Sequence, residues 1–326
     1  MAAADAAAVL GILRRLSDLF PAAMPRPIQA LIHHDALRHN LAQARAHAGA
    51  RRVWAVVKAN GHGLERVLPA FEAADGLALL DLAEAERARA AGWRKPILLL
   101  EGFFEPRDLA LVERLSLSSV VHDEGQIRLL AAQPPSRPID VQIKLNTGMN
   151  RLGFAPARFA DVAARLQAIA NVRASTAVMH FANADAAGQT GPACVAAQLA
   201  AFDAATRDWQ GARSVANSAA LFMQPQVGGD WVRPGIALYG GTPASGTPAV
   251  QFGLRPAMTL RSRLIATQEL QPGDTVGYGS RYTAERAMRI GIVACGYADG
   301  YPRHAGTGTP VLVDGVRTGT VGRVSM

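Results

Sequence analysis

Three lysines are the residues of this sequence whose side-chain type most clearly indicates chemistry. Lysine and arginine together number 34, and all of these positions are arginine except Lys58, Lys95 and Lys144. Arginine stays protonated in proteins, whereas a lysine amine can lose its proton and act as a nucleophile. The segments around the three lysines therefore indicate where an amine is required.

Lys58 directly follows five apolar residues in the segment VWAVVKANGHG. The apolar run predicts a strand over Val53–Val57, which places Lys58 at the carboxyl end of that strand. Burial there would lower the pKa of the amine and free it for Schiff-base chemistry. The alternative is a lysine whose apolar stem snorkels from a strand end, and the two interpretations weigh equally on this segment alone.

Lys144 and several other polar residues also follow apolar runs that predict strands. Lys144 lies in VQIKLNTGMNRLGF, where Arg151 follows after a glycine-containing turn. Lys95 instead precedes an apolar run, and we interpret it as solvated surface. Gly235 lies near the end of another run, where its backbone could approach an anion closely. The remaining polar residues at predicted strand ends are His180, Asn217, Ser218 and Arg233.

The elements that would position these residues alternate regularly from Val53 onward. Short apolar runs and helical patterns follow one another about eight times, which predicts a parallel α/β fold. About eight such units in roughly 200–250 residues fit a closed (β/α)8 barrel, whose active sites lie at the carboxyl ends of its strands. An open doubly wound sheet is the alternative, but no GxGxxG motif follows the first strand.

The periodicity of apolar residues changes after residue 250, where the helical pattern stops. Apolar runs at Met258–Leu270, Met288–Cys295 and Pro310–Val313 predict strands, and Asp314 followed by Gly315 predicts a hairpin turn. These patterns predict a mostly β domain after the barrel.

We therefore predict three segments in the chain. Residues 1–23 are a disordered extension or a misassigned start, residues 24–250 form the barrel, and residues 251–326 form an incomplete β domain. Two tyrosines of that domain lie in glycine-rich turns, Tyr278 in VGYGSRY and Tyr297 in ACGYADGYP. A correctly placed tyrosine hydroxyl can act as a general acid or base.

Bulk properties exclude several classes of protein. Cys194 and Cys295 show no metal-ligand spacing, and so few cysteines are typical of a reducing compartment, so we predict a cytoplasmic protein without a metal site. The sequence contains no run of ~18 apolar residues, so no membrane span is predicted. The formal charge is +8, but the arginines are scattered, whereas a nucleic-acid footprint would cluster them. Neither nucleic acid nor membrane is therefore an expected partner.

Eight segments of the sequence resemble those of the alanine racemase family, the pyridoxal-phosphate enzymes of bacterial cell-wall precursor synthesis. The resemblance implies a cofactor-binding (β/α)8 barrel, a C-terminal β domain and interconversion of L- and D-alanine for peptidoglycan. It runs from about Met24 to Met326. The matching segments, in order, are AVVKAN, KLNTGMNRLG, MHFANAD, ANSAA, VRPGIALYG, VGYGSRY, GYADGYP and VGRVSM.

The resemblance assigns the proton transfers to two residues. Lys58 resembles the lysine that holds the cofactor and serves as one base, and Tyr278 resembles the base on the opposite face. In the family this tyrosine reaches the cofactor of the other subunit, so the resemblance implies a homodimer. Arg233 resembles the arginine that faces the pyridine nitrogen, where a permanent cation weakens the ring as an electron sink and favours racemisation over side reactions.

The other residues implied by the resemblance bind the cofactor or the substrate. His180 resembles the link that orients Tyr278 and Arg233, and Lys144 matches a lysine that is often carbamylated. The carbamate would hold Arg151, which resembles the residue near the phenolic oxygen of the cofactor and the substrate carboxylate. Asn217, Ser218 and the amides of Gly235 and Ile236 resemble residues that bind the cofactor. Met326 resembles a residue that faces the substrate carboxylate across the dimer, and Tyr297 resembles a residue that supports the site.

The sequence departs from the family pattern at three points. An Ala-Tyr dipeptide is absent between Asn60 and Gly61, and its tyrosine normally donates to the cofactor phosphate. Losing one hydrogen bond to a charged group costs roughly 1.5–3 kcal/mol, about ten- to hundredfold in affinity. Asn146 stands where many members have aspartate, and the chain ends at Met326, within the family pattern.

The alternatives to alanine racemase activity are a racemase of broader amino-acid range, a barrel decarboxylase and a catalytically impaired remnant.

Overall fold

Eight parallel strands close into a barrel, as the alternation of apolar runs and helical patterns predicts. Each strand pairs with the next, and the last pairs with the first through Trp231 and Arg52. Strands covered on both faces read as near-continuous apolar runs. Strand β1 (Gln29–Ile32) precedes the barrel strands, which are β2 (Arg52–Val56), β3 (Gly76–Leu79), β4 (Ile97–Leu99), β5 (Ser118–Val121), β6 (Ile139–Lys144), β7 (Val172–Val178), β8 (Ala212–Asn217) and β9 (Trp231–Arg233).

The structure is a computed structural model that describes residues 26–186, 188 and 190–326. Within this part, Ile32–Met258 form one compact unit, and residues 26–31 with Thr259–Met326 form a second. The first unit ends at Met258, whereas the sequence predicts a boundary at residue 250. The predicted extension, residues 1–23, lies outside the described residues.

Helices follow most barrel strands and begin at residues that cap them. Asp81 and Asp123 each accept a hydrogen bond of 2.6 Å from the backbone N–H two residues later, which satisfies an amide that the helix start leaves unpaired. No described helix is both long and apolar enough to cross a membrane. The helices are α1 (His34–Ala48), α2 (Leu64–Val67), α3 (Leu82–Ala90), α4 (Pro106–Arg114), α5 (Glu124–Ala132), α6 (Phe159–Gln167), α7 (Val195–Ala205) and α8 (Ser218–Met223).

Two separate groups of buried side chains stabilise the first unit. Trp54 and Trp231 stack with their ring centroids 4.2 Å apart and pack with Val56 in one apolar cluster. A larger cluster joins strand residues such as Leu79 to helix residues such as Leu37. Because side chains fill the interior of a barrel of eight strands, its binding site lies at one end.

Two predicted elements differ in detail from the structure. The helical pattern of the sequence predicts one helix over Leu64–Ala74, but the α-helix ends at Val67 and continues only as a tighter 3₁₀ turn over Leu68–Phe71, which contains proline. Proline lacks the N–H that an α-helix would use, so the tighter turn is favoured there. The single strand predicted over Met258–Leu270 was wrong, because the chain breaks near Ser262, whose hydroxyl donates to the carbonyl of Ala294.

The second unit consists mainly of antiparallel strand pairs. The hairpin predicted at Asp314 and Gly315 is confirmed, and φ is positive at both residues, 48° and 81°, as a two-residue turn requires. The mostly β character predicted after the barrel is confirmed as well. The strands are β10 (Met258–Arg261), β11 (Leu264–Leu270), β12 (Thr275–Val276), β13 (Tyr282–Thr283), β14 (Met288–Val293), β15 (Pro310–Val313) and β16 (Val316–Gly319).

Candidate functional site

The ends of five barrel strands bring together polar residues that the sequence predicts for the site. Each residue is the last of its strand or follows the strand by two positions. Because the strands are parallel, all of these residues lie at the same end of the barrel, the one that carries active sites in this fold. The five residues are Lys58 after β2, Lys144 in β6, His180 after β7, Asn217 in β8 and Arg233 in β9.

Arg233 is a buried cation whose position is fixed by hydrogen bonds. Its side chain donates to the hydroxyl of Ser214 at 2.7 Å and to the carbonyl of Met179 at 2.5 Å. Burial lowers the pKa of the guanidinium to about 10. Arg233 is therefore charged near neutral pH and is held in one orientation.

His180 lies against this cation and is neutral near pH 7. Burial is the largest cause that lowers the pKa of its imidazole to about 3, followed by the charges of Arg233 and Lys144. The guanidinium of Arg233 lies 3.4 Å from Nδ1, and the amide nitrogen of Asn217 lies 3.5 Å from Nε2. A neutral imidazole has one acceptor nitrogen, and the charged donor makes the stronger bond. We therefore assign Nδ1 as the acceptor and Nε2 as the protonated nitrogen.

Lys144 has an amine that is unusually easy to deprotonate. The pKa of its side chain is lowered to about 8; burial is the largest cause, the charges of Arg233 and Arg151 act in the same direction, and Glu101 acts in the opposite direction. At a pKa of about 8, roughly a tenth of the amine is neutral at pH 7. Lys144 therefore offers a nucleophilic amine at neutral pH.

The turn that leads from Lys144 to Arg151 is organised by Asn146. The side-chain oxygen of Asn146 accepts from the backbone N–H of Asn150 at 2.9 Å and from that of Gly148 at 3.2 Å, and its amide donates to the side chain of Asn150 at 3.0 Å. An aspartate at this position could not make the last bond, since an ionised carboxylate only accepts. The departure from the family pattern at this position is thus compatible with an ordered turn.

The turn after Lys58 has an unusual backbone. Ala59, Asn60, Gly61 and His62 all have positive φ, between 48° and 68°, in the left-handed region that costs free energy for residues other than glycine. The backbone N–H of Asn60 donates to Oε1 of Glu84 at 2.5 Å. This contact joins the turn to helix α3.

A buried serine hydroxyl organises the loop after β9. The hydroxyl of Ser218 accepts from the backbone N–H of Gly235 at 2.8 Å and from that of Ala237 at 3.4 Å. The sequence predicts Ser218 beside the amides of Gly235 and Ile236, and Ile236 is exposed next to this pair. Ser218 and Gly235 are thus brought into contact, with the amide of Gly235 directed at the hydroxyl.

A second hydroxyl in this region belongs to Tyr239 and has no hydrogen-bond partner among the described residues. Burial raises the pKa of this phenol, and the charge of Glu84 raises it further. A Cβ atom on Gly61 would lie 2.9 Å from the hydroxyl oxygen and 2.3 Å from Cγ1 of Val57. Position 61 therefore has room only for glycine.

Two family sequence models cover nearly all of the described chain. The alanine racemase N-terminal domain matches residues 32–243, and the alanine racemase C-terminal domain matches residues 257–326. The chain belongs to the alanine racemase family. The alanine racemase of Leptothrix cholodnii is 58% identical over 313 residues, which covers 93% of this chain and 83% of that protein. The alanine racemase of Ralstonia nicotianae is 55% identical over 310 residues, which covers 93% of this chain and 81% of that protein.

Solved structures of alanine racemases have the same fold. The biosynthetic alanine racemase of Pseudomonas aeruginosa matches with a TM-score of 0.88 at 44% identity, covering 92% of this chain and 84% of that one. The alanine racemase of Acinetobacter baumannii matches with a TM-score of 0.84 at 34% identity, covering 92% of this chain and 85% of that one. The predicted barrel and the C-terminal β domain are therefore confirmed.

Three predicted site residues of this alanine racemase family member lie in the second unit. Tyr278 has 65% of its surface exposed, between two glycines of positive φ. The backbone N–H of Tyr297 donates to the carbonyl of Ser325 at 3.0 Å, and Met326 is 68% exposed. Their roles stay predictions.

Sequence reasoning missed four residues at the carboxyl end of the barrel. Glu84 and Arg87 were part of an ordinary helical pattern, and nothing local in the sequence indicates a contact with Asn60. Tyr239 was within a matching segment but had no predicted role, and Glu101 follows the apolar run of β4 as the other site residues follow theirs. Only Glu101 had a signal that sequence reasoning could have used.

Proposed function

We propose that this protein is an alanine racemase, a cytoplasmic isomerase that interconverts L- and D-alanine for peptidoglycan synthesis. Its cofactor in this proposal is pyridoxal phosphate, bound through Lys58. The observation that carries the proposal is the position of Lys58. In this member of the family it lies at the same barrel end as the buried Arg233 and the His180 that Arg233 contacts.

The charges at the barrel end fit pyridoxal phosphate. Lys58, Arg151 and Arg233 act together on Lys144, and only Glu101 opposes them among the principal charges on that amine. A cluster of cations attracts the phosphate of this cofactor and the carboxylate of an amino acid. Ser218, Asn217 and the amides of Gly235 and Ile236 would hold the phosphate end, with the Gly235 amide exchanging its bond to Ser218 for one to the phosphate.

Proton transfer at the α-carbon is the work of two residues in this proposal. Pyridoxal phosphate supplies an electron sink that makes the α-hydrogen of a bound amino acid acidic. Lys58 accepts or returns the proton on one face, and the partner subunit's Tyr278 does so on the other face. Removal from one face and return to the other inverts the configuration.

Arg233 and His180 keep the charge at the pyridine end constant. Arg233 stays protonated because its pKa is about 10, and its bonds to Ser214 and Met179 prevent it from turning away. A fixed cation disfavours a proton on the pyridine nitrogen facing it. His180 is neutral and accepts from Arg233, so it orients the guanidinium without adding charge.

The substrate carboxylate is bound by Arg151 and by the backbone of the partner subunit's Met326. A carbamate on Lys144 would supply the anion that holds Arg151, and the low pKa of this amine supports its reaction with carbon dioxide. Tyr297 has a supporting role. The exposed side chain of Tyr278 supports a homodimer, because a base that serves the other subunit must project from its own unit.

Borohydride reduction in the presence of pyridoxal phosphate, followed by peptide mapping, tests the cofactor site. We expect covalent label on the peptide that contains Lys58, and loss of both label and D-alanine turnover in Lys58→Arg. The matched control is Lys95→Arg, because Lys95 donates to the backbone carbonyls of Glu72 and Ala74 and has no place in the site. Label on another lysine would overturn the assignment.

A panel of amino acids separates the proposed activity from its alternatives. Turnover confined to alanine supports the proposal, whereas equal turnover of larger amino acids would indicate a racemase of broader range. Label on Lys58 without turnover of any amino acid would indicate an impaired remnant and would contradict the proposed activity.

A further inference from the structure

The turn that follows Lys58 needs outside support to keep its conformation. Five consecutive residues, from Ala59 to Gly63, have positive φ. Three of them are not glycine: Ala59 at 50°, Asn60 at 63° and His62 at 68°. A run of such residues persists only where the surrounding structure holds it. The neighbours of the turn therefore determine where Lys58, the residue directly before it, projects.

Helix α3 supplies this support through two side chains that both reach Asn60. Oε1 of Glu84 accepts from the backbone N–H of Asn60 at 2.5 Å, and Arg87 donates to the side-chain oxygen of Asn60 at 3.0 Å. The same oxygen accepts from the backbone N–H of Leu64 at 3.2 Å. Backbone and side chain of one residue are thus bonded at once, which fixes both the position and the rotation of Asn60.

Glu84 makes this contact in place of the capping contact that its position in helix α3 would allow. It is the third residue of α3, where a glutamate commonly reaches back to the N-cap backbone N–H. In α3 the cap is supplied by Asp81 alone, which accepts from Ala83, while Glu84 turns toward Asn60. The Glu84 side chain is 7% exposed and leaves Oε2 unpartnered among the described residues. A buried carboxylate with one free oxygen is retained more readily for positioning than for stability.

Packing against Val57 and Tyr239 also restrains the turn. Gly61 lies against Val57 and the hydroxyl of Tyr239, so that any side chain at position 61 would collide with both. The ring of Tyr239 packs edge-on against His62, with centroids 5.0 Å apart. The turn thus contacts Glu84 and Arg87 through Asn60, and Tyr239 through Gly61 and His62.

We propose that Glu84 is a positioning residue for Lys58: with Arg87, it binds Asn60 and thereby holds the left-handed turn that sets the direction of the lysine amine. This inference rests on the proposed function, since it is the cofactor-binding amine that is positioned. Displacement of a reacting group by about 1 Å can lower a rate about 100-fold. Loss of the contact should therefore change the reactivity of Lys58 far more than the stability of the fold.

The test compares substitutions on the same helix in the full-length protein. Glu84→Gln keeps an acceptor for Asn60 but removes the charge, Glu84→Ala removes both, and Arg87→Met removes the side-chain bond while keeping the aliphatic stem. Glu86→Gln is the matched control, because Glu86 pairs with Arg114 on the exposed face of the same helix. For each protein we would measure the borohydride-trapping rate of pyridoxal phosphate on Lys58, kcat and KM at saturating cofactor, and the thermal midpoint.

We expect the trapping rate and kcat to fall at least tenfold in Glu84→Ala and about threefold in Glu84→Gln and in Arg87→Met, with KM for alanine changed less than twofold. The Glu84→Gln/Arg87→Met double variant should lose less than the product of the single losses, because both contacts act through Asn60. Glu86→Gln should remain within twofold of the wild type.

The outcomes separate this inference from the proposed function. If the wild type is not labelled at Lys58, the proposed function fails whatever the variants do. If the wild type is labelled but Glu84→Gln and Arg87→Met trap cofactor as fast as Glu86→Gln, the positioning role is wrong. A rise in KM or a fall in thermal midpoint, with an unchanged trapping rate, would also overturn the positioning role, since such a result would show a structural role alone. Should Glu84→Ala fail to fold, the two milder variants decide the matter.

Discussion

The guanidinium of Arg233 lies 3.4 Å from Nδ1 of His180, and this contact keeps a neutral imidazole beside a buried cation. The imidazole cannot become protonated without placing two positive charges together in a buried site. Burial is the largest cause that holds the pKa of His180 at about 3, and the positive charge of Arg233 is the next.

Stability should therefore depend on pH through His180. The pKa of the folded state is below the ordinary value of 6.5, so the unfolded chain binds the proton more readily and stability falls as pH falls below 6.5. From pH 7 to pH 5 this residue should cost about 2 kcal/mol of unfolding free energy. Urea unfolding of the wild type and His180→Gln at both pH values measures the difference, with the exposed His304→Gln as control. Equal losses in the wild type and His180→Gln would contradict the prediction.

Lys144 should form a carbamate in a pH-dependent manner. Its amine is neutral in a growing fraction as pH rises through about 8, and only the neutral amine reacts with carbon dioxide. With ¹³C-labelled bicarbonate, we expect an NMR carbamate signal in the wild type that grows from pH 7 to pH 8.5. Lys144→Arg should show no such signal and should lose at least tenfold in kcat.

The matched control for that experiment is Lys95→Arg, which should keep both the signal and the turnover. An unchanged carbamate signal in Lys144→Arg would place the modification elsewhere. Full turnover in Lys144→Arg would remove the carbamate from the proposed function.

Arg233→Lys should damage both stability and activity, because lysine lacks the planar fork that reaches Ser214 and Met179 together. Leaving buried acceptors unpaired costs about 1–3 kcal/mol each. We expect a loss of about 2–4 kcal/mol in urea unfolding and at least a tenfold loss in kcat/KM. Ser214→Ala removes one of the two bonds of the fork, together with a longer bond to the carbonyl of Trp231, and should cost less, about 1.5–2 kcal/mol. A result in which the two substitutions are equally mild would contradict the importance of the fork.

Tyr239→Phe should leave stability unchanged or increase it by about 1 kcal/mol when measured without cofactor. The hydroxyl is buried and unpaired among the described residues, and a buried polar group without a partner carries a desolvation cost. The ring would keep its contacts with His62 and Phe71. A loss of more than 1 kcal/mol in thermal or urea unfolding would show that the hydroxyl has a partner.

The sequence predicts the main fold and many of the site positions for local reasons. The run VWAVV before Lys58 specifies a buried strand, similar runs precede Lys144 and His180, and a weaker one precedes Arg233. Parallel strands in a barrel end at one rim, so residues at strand ends must meet there. The hairpin at Asp314 and Gly315 follows from the same kind of local rule, because these residue types tolerate positive φ.

Contacts between distant segments were beyond local patterns. Asn60 and Glu84 are 24 residues apart, and Asn60 carries no sequence signal for the helix that binds it. The predicted strand likewise breaks at Ser262, whose hydroxyl donates to the carbonyl of Ala294, 32 residues away. Such pairings depend on which segments pack side by side, a property of the whole chain.

The sequence alone thus determined the barrel and the end of the barrel at which the candidate site residues lie. The tertiary structure decided the charge states and the orientations. The pKa of Lys144 falls to about 8 and that of His180 to about 3 because folding buries them beside Arg233 and Arg151. Desolvation and neighbouring charge act over a few ångströms in space, whereas the sequence specifies only which residues are adjacent along the chain.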